Sequence, residues 1–241
     1  MYITLQMMQS LGQPIEKKDE EKEKARAGKV YIISLPGRGK GKHIEPPSGC
    51  LKLNVTSGQA TLNKNRRDFS PMTFVDGSYK GFANFEAYWQ SGKVFREIDE
   101  EKAMKFWKSV GKAKKSGERG PPKRRYPGSK GKEVLYSKFP GFDNQEMDYV
   151  TSRKEVYVPL YEELIKDREM ALYWKGVVAG GRDVAVYDFD GPRLEDGSES
   201  VAEVTMDLLK EKINDTRFPF GHGYVVASYI AGYDMSEVVR K

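Results

Sequence analysis

A single cysteine, Cys50, and two histidines, His43 and His222, are the only thiol and imidazole groups in the 241 residues. One cysteine can form neither an internal disulfide nor a cysteine-based zinc site, and the histidines have no ligand-spaced partners. Neither a disulfide framework nor a metal centre is therefore expected. No run of 18 apolar residues occurs, and Met1 to Gln13 lacks both a basic opening and a continuous apolar core. A membrane span, a membrane partner and export are thus not expected, and the expected location is cytoplasmic. What the chain does contain, 38% hydrophobic and 12% aromatic residues beside 32% charged ones, is enough to bury a sizeable core.

The net charge of +6 is unevenly placed: from Lys105 to Lys138 there are twelve Lys and Arg against Glu118 and Glu133. Such a block can neutralise nucleic-acid or nucleotide phosphates, so DNA or RNA is one possible partner of segment 105–138. The alternative is a solvated loop. Residues 16–26 alternate charges without an apolar stripe, which sets residues 1–28 apart as a charged arm. The remainder, 29–241, reads as one α+β domain, helix-dominated with a few short strands. It has a strand-rich N-terminal extension at 29–64 and a basic loop insertion at 112–138.

Within that extension Lys29–Leu35 and Leu51–Thr56 are β-branched-rich runs bounded by Gly and Pro, read as two strands that pair. The Gly- and Lys-rich turn at 36–42 between them does not match a phosphate-binding loop, and no cofactor is expected. Phe82, Phe85, Trp89 and Phe95 fall near helical spacing, with Asn84 as N-cap, which predicts a helix over 82–95. Helices are also predicted over 100–115, over 154–175 with a restart at Pro159, over 198–213 and over 224–231. Val184–Tyr187 is predicted as a short strand leading into Asp188-Phe189-Asp190-Gly191.

Three runs then stand close together: Asp68-Phe69-Ser70-Pro71-Met72, Asp76-Gly77-Ser78-Tyr79, and the stretch from Phe85 to Phe95 with Glu86, Tyr88, Gln90 and Lys93. Together they resemble the signature of the NADAR family of N-glycosidic-bond enzymes, an Asn-Phe-Ser-Pro-like turn followed by a helix reading Glu-His-Tyr-x-Gln-x-x-Lys-Phe. Ala87 replaces the family's His and Asp68 its Asn. Val177 to Gly180 followed by Val184 to Val186 is similar to a later turn and strand, after which Asp188 or Asp190 would stand for the family's Asp; its Trp-Gly pair is absent. Gly221-His222-Gly223-Tyr224 resembles the closing turn and helix, and Tyr149 with Arg153 or Lys154 loosely matches a middle motif.

On one helix, Glu86, Gln90 and Lys93 would share a face, since seven residues make about two turns. A carboxylate there can stabilise the oxocarbenium-like state of ribosyl cleavage, the role assigned to Glu86. An amine near the anomeric carbon can bind phosphate or form an imine with the sugar aldehyde, which gives Lys93 two alternatives. Asp188 or Asp190 is assigned acid–base work. Arg66 and Arg67 are candidates to hold a phosphate, and Phe69, Tyr88, Trp89, Gln90 and Tyr149 to contact substrate. The resemblance implies an ADP-ribose-like or ribosyl-phosphate substrate, including ADP-ribose attached to a nucleobase, and a hydrolase acting on its N-glycosidic bond. A relative that only binds such a ligand, and a nucleic-acid-binding protein using segment 105–138, are the alternatives.

Overall fold

The strand Val184–Asp188 is buried at every position, as expected of a central strand in a sheet covered on both faces. The computed structural model describes residues 27–37, 43–57, 63–73, 79–110 and 125–240. In chain order these form β1 (Val30–Ser34), β2 (Leu51–Asn54), α1 (Lys64–Phe69), α2 (Phe85–Ser91), β3 (Lys93–Phe95), α3 (Glu100–Ser109), β4 (Val134–Ser137) and α4 (Tyr149–Ser152). A π-helical turn (Arg153–Tyr157) follows, then α5 (Val158–Ile165), α6 (Glu169–Ala179), β5 (Val184–Asp188), β6 (Val201–Glu203), α7 (Met206–Asn214), α8 (His222–Ala231) and α9 (Met235–Val239). The chain is a single α+β domain with short strands in two small sheets. The charged arm up to residue 26, the turn residues 38–42 and the basic residues 111–124 lie outside the described residues.

The main sheet has the order β2-β5-β1-β6. β1 and β2 do not pair with each other as expected: β5 runs parallel between them, with Val184 opposite both Val30 and Leu51. The reason is in the sequences. β5 (VAVYD) can bury both faces and satisfy a neighbour on each edge, whereas β2 (LKLN) alternates with polar residues and suits an edge. Segment 29–64, set apart in the sequence as an extension, thus supplies two strands of the main sheet. One face, with Ile32, Leu53, Val184 and Val186, meets the large core under α8; the other carries Ile33, Ala185 and Tyr187 in a smaller cluster.

Two predicted helices are shorter than expected and a third is divided. The helix over 82–95 is helical only from Phe85 to Ser91, because the Phe139 ring packs where a side chain on Gly92 would stand. Lys93 to Phe95 then turn into β3 and pair antiparallel with β4. The helix over 198–213 begins only at Met206, capped by Thr205, whose hydroxyl accepts from Leu208 N. Its first part is β6, antiparallel to β1, as the β-branched Val201 and Val204 favour. The stretch 154–175 divides at 166–168, where Arg168 reaches across to the Asp68 carbonyl at 2.7 Å. Pro159 stands in the first turn of α5; it cannot donate to the carbonyl four residues back. Just before it the chain makes the wider turn, with Val158 N bonded to Arg153 O. One helix agrees better: α8 covers the predicted 224–231. No helix among the described residues is long and apolar enough to cross a membrane.

Candidate functional site

β5 ends at Asp188 and β2 leads into Ser57, so the carboxyl ends of parallel strands open on one side of the sheet, the place where open α/β sheets commonly leave a crevice. A pocket of about 160 Å³ lies there. Its walls bring together Glu86, Trp89, Gln90, Lys93, Tyr149, Asp188 and Asp190, residues drawn from three separate stretches of the chain.

The Phe69-Ser70-Pro71-Met72 turn sets α2 in place. Ser70 Oγ bonds Ser57 Oγ at 2.9 Å and accepts from Met72 N, while the Pro71 carbonyl accepts Glu86 N at 2.8 Å. Asn84 clamps the same junction: its amide donates to the Met72 carbonyl and its oxygen accepts Ala87 N at 2.8 Å, as an N-cap should. Glu86 therefore starts the helix at a fixed position, and Gln90 one turn on donates to its Oε1 at 2.9 Å. Lys93 was expected on the same helix; it reaches the pocket instead as the first residue of β3, with Nζ 5.7 Å from the centre of the Trp89 ring. Burial pushes its amine below the ordinary lysine range, opposed by the charges of Glu86 and Asp190, with Arg125 adding to the downward push.

Asp188 and Asp190, alternatives in the sequence, have different environments. Asp188 is 2% exposed. Its Oδ1 accepts Phe189 N at 2.8 Å and its Oδ2 accepts Gly223 N at 3.0 Å, so it supplies from β5 the carboxylate cap that α8's own N-cap, Gly221, cannot. His222 touches the same oxygen through Nδ1 at 3.3 Å. Its Nε2 faces the Val55 carbonyl at 2.8 Å and donates there. Asp190 is only half-buried at the pocket wall. It is the better placed of the two for acid–base work, while Asp188 is committed to holding α8 and His222.

The two glycines flanking His222 follow from this contact. A methyl group on Gly223 would lie 2.6 Å from Asp188 Cβ, and one on Gly221 2.5 Å from Asp190 Cβ. Gly223→Ala should cost about 1–3 kcal/mol in overpacking, against a helix-propensity gain of about 1 kcal/mol. A net loss of stability is expected in thermal denaturation; an unchanged or raised melting temperature would show that α8 does not press on Asp188.

Four of the predicted substrate contacts are not in the pocket. Phe69 and Tyr88 are fully buried in the core, Tyr161 donating its hydroxyl to the Phe69 carbonyl and Tyr88 donating to the Pro140 carbonyl at 3.1 Å. An aromatic stripe that packs the core and one that lines a pocket have the same spacing, which is why the sequence did not separate them. Arg66 and Arg67 lie on α1, which does not line the pocket, and Arg67 Nε is 3.9 Å from Asp68 Oδ1. Four residues to which the sequence reading gave no site role also stand in the walls: Tyr157 and Phe220, together with Arg153 and His222, which were named only within the resemblance. The signal for two of them was the spacing Tyr149, Arg153, Tyr157, Tyr161. Steps of four drift around an α-helix, and the wider turn at Arg153–Tyr157 brings 149, 153 and 157 back to one side.

Among the described residues no group of three or more His, Cys, Asp or Glu side chains is arranged to hold a metal ion. Of the basic segment, Lys132 pairs with Glu97 and Lys138 with Glu100 at 2.7 Å, so these two cations are already matched by carboxylates. The chain matches no family model, no curated protein and no solved structure.

Proposed function

We propose that this pocket cleaves the N-glycosidic bond of a nucleotide-like ribosyl compound, ADP-ribose on a nucleobase or a ribosyl-phosphate N-glycoside. The observation that supports it best is the meeting of an amine biased toward its neutral form, Lys93, with the carboxylates Glu86 and Asp190 beside aromatic walls. The NADAR resemblance of residues 68–95 points the same way.

In this reading the base departs with the bonding pair and C1 becomes oxocarbenium-like, a charge that Glu86 stabilises while Gln90 holds its carboxylate. The neutral amine of Lys93 adds to C1, Asp190 takes up the proton released and hands it to the ring oxygen as the bond from C1 to that oxygen breaks, and the sugar ring opens to an imine. Water then adds to the imine carbon and expels the amine, leaving the sugar aldehyde. Trp89, Tyr149 and Phe220 supply flat apolar surface for the base or sugar.

Incubation with ADP-ribosylated guanine DNA, NAD and a panel of ribosyl-phosphate N-glycosides, followed by mass spectrometry, tests this. Wild type should release base. Glu86→Gln, which keeps shape and removes charge, should slow release by about 10²-fold without lowering the melting temperature. Binding without release would make the protein a ligand-binding relative; equal rates for Glu86→Gln and wild type would remove Glu86 from the chemistry.

A further inference from the structure

Tyr157 is the last residue of the π-helical turn, and its ring is held on several sides: edge-on to Trp89 with centroids 4.8 Å apart, edge-on to Phe85 at 5.4 Å, and stacked on Tyr161 at 5.9 Å. The residue is 6% exposed. Its neighbours in this aromatic cluster, Tyr88 and Tyr161, each give their hydroxyl proton to a backbone carbonyl. Tyr157 makes no hydrogen bond among the described residues, and its hydroxyl is not sealed off either. The buried polar side-chain atoms that are both sealed and unpartnered there are Arg153 Nε and Ser228 Oγ. Tyr157 lines the pocket, and its unpartnered hydroxyl is the polar atom it can offer there.

A buried phenol without a partner forgoes a hydrogen bond unless water or a ligand supplies one. The groups around it define what that ligand must offer. Burial above all, then the neighbouring Tyr161 and the charges of Glu86, Asp188 and Asp190, push the Tyr157 hydroxyl well above the ordinary phenol range, so it remains a donor at any working pH. Glu86 and Asp190 are acceptors. A bound molecule complementary to this set donates hydroxyls toward the carboxylates and offers an oxygen lone pair toward Tyr157, which is the pattern of a sugar ring with its vicinal hydroxyls and ether oxygen.

We infer that Tyr157 is a direct ligand-contacting residue, donating its phenolic hydrogen to a sugar oxygen of the bound substrate. This rests on the reading of the pocket as a ribosyl site. It adds a residue that neither the family resemblance nor the helical spacing singled out, and it assigns the π-helical turn a purpose: the extra residue in the turn aims Tyr157 at the pocket rather than past it.

Tyr157→Phe removes one oxygen atom and leaves the ring packing in place. With the substrate that wild type turns over, kcat/KM should fall roughly 10- to 50-fold, the loss of one well-oriented hydrogen bond. The melting temperature should stay the same, and so should the positions of the pH-profile limbs, because the phenol does not titrate in the working range. A kcat/KM within twofold of wild type overturns the inference while leaving the glycosidase reading standing. If wild type releases no base, calorimetry with ADP-ribose and ribose 5-phosphate decides. Binding by wild type that weakens about tenfold in Tyr157→Phe upholds the contact and removes only the catalytic reading. Equal affinities overturn the contact, and no binding by wild type overturns both.

Discussion

Lys93→Met should abolish turnover, by about 10³-fold or more, as loss of a covalent nucleophile does, and at the same time make the protein more stable near neutral pH. Both halves come from one environment. The folded state holds the amine where burial disfavours its charge, so its pKa lies below the ordinary 10.5 while the unfolded chain keeps the ordinary value. Between those two values the unfolded chain binds more protons than the folded one, and wild-type stability rises with pH. Below the folded pKa the cost of the buried ammonium is borne in full; it vanishes above 10.5. The stability gain of Lys93→Met should therefore be largest at neutral and acidic pH and close as pH climbs through the lysine range, which denaturation at several pH values measures. A gain that instead grew with pH would contradict the assigned environment. Borohydride added during turnover should attach a sugar-sized mass to Lys93 in wild type and none in the variant. Lys93→Arg keeps the positive charge without the nucleophile; wild-type rates from it would give Lys93 the phosphate-binding role in place of the imine.

Arg153→Met should destabilise the protein by about 3–5 kcal/mol, a drop of roughly 10 °C in melting temperature for a chain of this size. The guanidinium is 1% exposed and bonds three carbonyls: Ile213 at 3.2 Å and Asp215 at 2.7 Å through Nη1, and Phe218 at 2.6 Å through Nη2. It also lies 3.9 Å over the Tyr149 ring. These carbonyls belong to the C-terminal end of α7 and the turn after it, where unpaired acceptors and the negative end of the helix dipole favour a cation. Methionine fills a similar volume and answers none of them. Lysine, with one compact ammonium, cannot span all three, so Arg153→Lys should recover only part of the loss. Because the same turn continues into Pro219, Phe220, Gly221 and His222 of the pocket wall, KM should rise even at temperatures where the variant stays folded. A melting temperature within 2–3 °C of wild type, under about 1 kcal/mol, would mean that water replaces the guanidinium without loss.

Much of this was legible where a local rule governs. Asn84 capping α2, the strand leading into Asp188 and the helix over 224–231 could be expected from residue type and short spacing, whereas a meeting of Asp190 with Glu86, Gln90 and Lys93 was implied only by the family resemblance. What was not legible depends on distant packing. Nothing near Gly92 says that Phe139, 47 residues on, will occupy the space of its missing side chain and stop the helix. Nothing near Lys29 or Leu51 says that β5 will come between their strands. Phe69 and Tyr88 read as pocket residues because the turn and helix they belong to do form the pocket; their own side chains point the other way, into the core. His222 had no partner in sequence because its partner, Asp188, is 34 residues upstream and on another element.

The place of β5 also sets an order of events. It completes the sheet on both of its edges, yet it follows β1 by more than 150 residues, Lys29 N bonding Asp183 Oδ1 across a separation of 154. Closing so long a loop must precede any reward from the pairing, which makes such topologies slow to fold. During synthesis β1 and β2 emerge before β5, each with an unpaired edge of the kind that invites pairing with other chains until it arrives. The strand they wait for is the one that delivers Asp188 and Asp190, so a chain that stops short of β5 cannot hold an assembled pocket.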